Sequence, residues 1–185
     1  VMDGKLVLLL VLFAGQYTGL PLRAQVPDIL PQYLQQLREA PPGKRKQVMG
    51  KVQEFQDQRA VSALVELLES GKDASDARNA LTRLGPQAVE PLLTKATEAN
   101  ASVRVWALSA LTLLFSRHEE NGLQRQDPRF IEVVLRCAAE LAPANQEGVV
   151  HCLGIIGPEP SGRVEDAVIA ALRSPNFRVS MAVDH

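Results

Sequence analysis

Aromatic residues are scarce in this chain: 4% of its 185 residues, with one tryptophan, Trp106. A β-sandwich core of alternating aromatic and β-branched residues is not expected from that composition. An excess of one charge is also missing, since the formal net charge is −1. Nucleic-acid binders usually carry a basic surplus, so no nucleic-acid partner is expected. The three histidines are scattered: His118 lies beside Glu119 and Glu120, His151 beside Cys152, and His185 is terminal. None of them has metal-ligand spacing. No serine or cysteine nucleophile has an evident base, no glycine-rich loop follows a strand, and no paired carboxylates stand on an apolar background. Neither catalysis nor a cofactor is expected.

What is present is hydrophobic matter, 46% of the residues, enough for a sizeable core. Ala and Leu dominate it, which suits close helix-on-helix packing. Apolar positions spaced by three and four mark a succession of amphipathic helices. Asp28 is placed to cap a helix beginning near Leu30, with Pro31 in its first turn and Tyr33, Leu34 and Leu37 on its apolar side. Pro41, Pro42 and Gly43 stop it. Lys44 opens the next helix, with Val48, Met49, Val52 and Phe55 inward, and the Lys44-Arg45-Lys46 triplet reads as a solvated face. Residues 57–70 form a third helix on a stripe of Val61, Leu64, Val65 and Leu68, and Gly71 fits its C-terminal cap.

A shorter helix follows from Asp73 to Gly85, with Ala77, Ala80, Leu81 and Leu84 inward. The next is expected to begin after Gly85-Pro86 and to bend at Pro91; a start near Val89, with Pro91 in the first turn, is the alternative. Asn100 caps the clearest helix, Ser102 to roughly Arg117, with Val103, Ala107, Ala110, Leu111 and Leu114 on one face. Asp127 caps another, with Pro128 first and Phe130, Ile131, Val134, Leu135, Ala138 and Leu141 as core positions. Further helices end at Gly157 and span Val164 to Ser174, and Pro175-Asn176 opens one more.

The N-terminus reads differently. Leu6 to Ala14 is an apolar run about half as long as a bilayer-spanning helix, the size of a signal-peptide core. Residues 1–24 are therefore expected to be a signal helix, with cleavage after Ala24 and export to the periplasm or the exterior. An uncleaved membrane anchor and a short buried helix are the alternatives. No other membrane contact is expected.

The helices alternate between two types. SVRVWALSALTLL (102–114) has degenerate copies in DARNALTRLG (76–85), EGVVHCLGIIG (147–157) and NFRVSMAVDH (176–185), with companion segments between them. A spacing of roughly 30 to 40 residues is that of a helical solenoid. The motif Val103-Arg104-x-x-Ala107-x-x-Ala110-Leu111, with the junctions Leu84-Gly85-Pro86 and Ile156-Gly157-Pro158, resembles the short bacterial HEAT-like repeats also seen in phycobilisome lyases. The resemblance covers residue 57 to the end. Cys152 departs from it at the second alanine, and Asp73 and Asn145 depart at the valine. It implies an all-α fold, a right-handed α–α superhelix of stacked antiparallel helix pairs, with a concave face lined by the second helices. Residues 25–56 then form an N-terminal cap and 57–185 the repeats, the last one cut within a helix, so that the protein is expected to continue past His185.

The function expected is a non-catalytic scaffold that binds a protein or peptide on that face. The alternative is an accessory or regulatory domain of a larger enzyme, including a factor like the bilin lyases. Partner-binding candidates are Arg78, Arg83, Arg104, Trp106 and Ser109, which lie off the buried stripe. Arg104 and Arg178 occupy the motif's arginine position, where a structural contact competes with anion binding. Trp106 is either a binding anchor or the cover of an inter-repeat core edge. Cys137 and Cys152, nearly equidistant from a turn at Pro143 to Asn145, are either a disulfide or two buried thiols.

Overall fold

The computed structural model describes residues 28–71, 73–97, 100–140 and 146–173. The expected signal helix, Leu141 and the segment opened by Pro175 lie outside them. Among the described residues the chain is helical and contains no strand.

Helix α1 (Leu30–Glu39) starts where the Asp28 carboxylate accepts from the Leu30 amide at 3.2 Å. Helix α2 (Pro42–Val52) begins two residues earlier than expected, because a proline at the first position lacks only an amide that had no helical partner. A 3₁₀ turn (Gln53–Phe55) leads to Asp57, whose carboxylate accepts from the Arg59 amide at 2.7 Å and caps α3 (Gln58–Ser70). Gly71 ends α3 at φ 69°, a left-handed conformation that glycine adopts without a Cβ penalty.

Helix α4 (Ala74–Leu84) stops at Gly85, again at positive φ. A 3₁₀ segment (Gly85–Ala88) then takes up Pro86, and α5 (Val89–Ala96) begins only afterwards. The expected bend at Pro91 is thus replaced by its alternative. Pro91 falls in the first turn, where its missing N–H interrupts no hydrogen bond. Asn100 caps α6 (Ala101–Ser116), accepting from the Ser102 and Val103 amides at 3.0 and 3.4 Å. Asp127 caps α7 (Pro128–Glu140) through the Arg129 amide at 2.9 Å. Helices α8 (Gln146–Ile156) and α9 (Arg163–Arg173) complete the described chain.

The helices pack as successive pairs, α1 on α2, α3 on α4, α5 on α6 and α7 on α8. Neighbouring pairs meet through like members. The second helices α2, α4, α6 and α8 touch in sequence, as do the first helices α1, α3, α5, α7 and α9. Corresponding motif positions are buried in every described copy: Ala77, Ala107 and Val149; Ala80, Ala110 and Cys152; Leu81, Leu111 and Leu153; Leu84, Leu114 and Ile156. Alanine at two of these positions lets the second helices approach closely. Phe115 and Phe130, both fully buried, stack with centroids 4.1 Å apart and join α6 to α7. Of the core expected on α7, Phe130 and Val134 are buried, while Ile131, Leu135 and Ala138 are half-buried.

Candidate partner-binding face

Three of the five candidate residues meet between α4 and α6. The Arg78 guanidinium donates to the Ser109 hydroxyl at 3.1 Å and to the Asn79 side-chain oxygen at 2.9 and 3.2 Å. Its central carbon lies 5.8 Å from the centre of the Trp106 ring, within cation–π range. Trp106 is half-buried and packs against the core. One turn of α4 and one of α6 are enough to assemble this group, because the buried alanines bring the two helices side by side. Its outer surface combines an aromatic ring, a guanidinium and a hydroxyl.

The other two candidates stand elsewhere. Arg104 donates to Glu140 on α7 at 3.0 Å, and its side chain is 13% exposed. Of the two readings of this arginine, the structural contact is the one observed. Arg83 is exposed and lines a groove of about 120 Å³ between α2 and α4, together with Lys46, Gln53 and Asn79. Arg178 lies outside the described residues.

The two cysteines are free and buried. The Cys137 thiol donates to the Ala96 carbonyl at 3.1 Å, and Cys152 lies 3.0 Å from the Thr112 hydroxyl. Burial pushes both thiols up, that of Cys152 to about 12. Both occupy core positions as small residues.

Arg45 overturns the reading of the basic triplet as a solvated face. It is 8% exposed, pairs with Asp73 at the start of α4 and donates to the Ala40 carbonyl at 2.8 Å. Its spacing from Met49 and Val52 already placed it on the apolar stripe of α2, a signal that the triplet's charge obscured. Lys46, by contrast, is exposed and lies 3.2 Å from Asp76.

A second device was also overlooked. Asp57-Gln58-Arg59 and Asp127-Pro128-Arg129 each place a capping aspartate two residues before an arginine that reaches back to the preceding first helix or its start. Arg59 binds Asp28 at 2.7 Å as well as Asp57, and Arg129 binds Glu90 as well as Asp127. Arg163 repeats the reach towards Glu132 at 2.8 Å. The guanidiniums hold the Asp57 and Asp127 carboxyls below the usual carboxylate range. The D-x-R spacing was legible in the sequence; the carboxylates it reaches, 31 and 39 residues away, were not.

His118 and His151, apart in sequence, line one groove with Arg125, Phe115, Ser116 and Ile155 near the ends of α6 and α8. Among the described residues no group of three or more His, Cys, Asp or Glu is arranged to hold a metal ion. Also among them, no helix is long and apolar enough to cross a membrane.

Fold and face together define an all-α protein of packed helix pairs with a cluster of interface-type side chains on its second helices. No protein-family model matches the chain, and no curated protein matches it.

Proposed function

We propose that the chain is a non-catalytic, HEAT-like solenoid that holds a protein or peptide on the face formed by its second helices. The sequential touching of like helices supports the solenoid reading, since each pair has an apolar side that only the next pair covers. The cluster of Arg78, Trp106 and Ser109 carries the functional reading. Tryptophan and arginine are the side chains most enriched among residues that dominate interface energy. Here their mutual contact fixes both before a partner arrives, which lowers the ordering cost of binding.

Peptides selected from a displayed random library on the intact protein should lose about tenfold or more in affinity on Trp106→Ala, measured where circular dichroism shows the variant folded. Selection of no peptide, or equal binding to the variant, overturns the reading.

A further inference from the structure

The charge of this protein is unevenly divided between its two rows of helices. The first helices α1, α3, α5, α7 and α9 carry seven Lys or Arg against eight Asp or Glu. The second helices α2, α4, α6 and α8 carry seven Lys or Arg against only Asp76 and Glu147. The near-neutral total conceals this division. Two of the second-row cations, Arg45 and Arg104, are tied to Asp73 and Glu140. Lys44, Lys46, Lys51 and Arg83 are exposed, Lys46 beside Asp76 at 3.2 Å and Lys51 beside Glu54 at 3.4 Å.

Cationic groups also occur at each step along the row. The α2–α4 groove is lined by Arg83, Lys46 and Asp76, of which Lys46 and Asp76 pair at 3.2 Å. Arg78 and Trp106 occupy the α4–α6 step. The α6–α8 groove is lined by His118, His151 and Arg125, and no carboxylate lines it. In the register that superposes the buried motif positions, Asn79, Ser109 and His151 correspond, as do Arg83, Leu113 and Ile155. At the level of Asn79, Ser109 and His151 the three steps form a line across the row, with Arg83 about one turn to its C-terminal side and Trp106 about one turn to its N-terminal side. Half-buried Trp106 and Leu113 stand at its middle.

We infer that the partner is an extended, acidic segment of a protein, laid across α2, α4, α6 and α8. Its carboxylates meet Arg83 at one end and Arg125, with the ring N–H groups of His118 and His151, at the other, and an apolar side chain rests at Trp106. With helix axes 8–10 Å apart the line is about 20 Å long, which an extended chain covers in roughly six residues. A nucleic acid is disfavoured by the acidic balance of the first row and by the modest number of exposed cations. This inference rests on the docking face proposed above and names the partner's chemistry.

Trp106 is the sole tryptophan, so its fluorescence reports directly on the middle of the line. The probe is an octapeptide with glutamates flanking a central leucine, titrated into the full chain beside its glutamine analogue and an oligothymidylate of equal length. The glutamate peptide should bind about tenfold more tightly than the glutamine one at about 50 mM salt, and lose that margin at about 500 mM. Arg83→Glu, with Arg83→Gln as the milder variant, should weaken it by about tenfold or threefold respectively while circular dichroism is unchanged. Equal binding of the two peptides, no effect of either variant, or tighter binding of the oligothymidylate overturns the inference. If peptides selected for the Trp106 face bind while the glutamate peptide gains nothing over its analogue, the acidic preference fails and the docking face stands. If neither binds, both fail.

Discussion

At the scale of single residues, chemistry and position separate cleanly. Arg45, Arg78, Arg83 and Arg104 are alike in the sequence, yet one is buried on Asp73, one is held against Trp106, one is free at the surface and one is tied to Glu140. Only Arg45 was readable in advance, through its spacing from Met49. The others depend on which carboxylate or ring another helix brings up. The cysteines follow the same logic. Buried and uncharged, neither thiol should react with an aromatic disulfide reagent at mildly alkaline pH until the protein unfolds. Prompt release of one equivalent of chromophore from the folded protein would contradict the burial assigned to them.

At the scale of elements, local rules accounted for most of what is seen. Asp57, Asn100 and Asp127 cap the helices they precede, and Gly71 and Gly85 close helices at positive φ, as their residue types require. Asn100 alone satisfies two amides of α6, the helix that packs against α4, α5 and α8. Asn100→Ala should therefore cost about 1 kcal/mol in denaturant unfolding, with the m-value unchanged. A cost near zero would mean that the two amides find water without loss. Where local rules failed, two solutions were equally permitted. Pro91 fits a kink or a first turn, and the preceding 3₁₀ segment decided for the turn.

At the scale of the whole molecule, adjacent pairs are joined by apolar stripes and by the recurring arginine bridges of the first row. Asp57 and Asp127 have folded-state pKa values below their ordinary range because of Arg59 and Arg129, and Ser161 does the same for Glu159. A carboxyl so depressed contributes stability that is present above its unfolded pKa and is lost as pH falls through its folded one. Stability should thus be level near neutrality and decline as pH drops below about 4. In Asp57→Asn with Asp127→Asn the acid limb should be shallower than in the wild type. An unchanged limb in equilibrium unfolding would assign acid sensitivity to other carboxylates.

The sequence alone determined that the chain is helical, where most of its helices start and stop, and which stripe of each is buried. These are consequences of interactions between residues at most four apart, and spacing and capping chemistry report them directly. Only the tertiary structure decided that Arg78, Trp106 and Ser109 share one patch, that His118 and His151 share one groove, and that the helices poor in carboxylates stand side by side in one row. Those facts depend on contacts between residues about 30 apart in the chain, and no local pattern records which faces meet when one amphipathic pair covers the next.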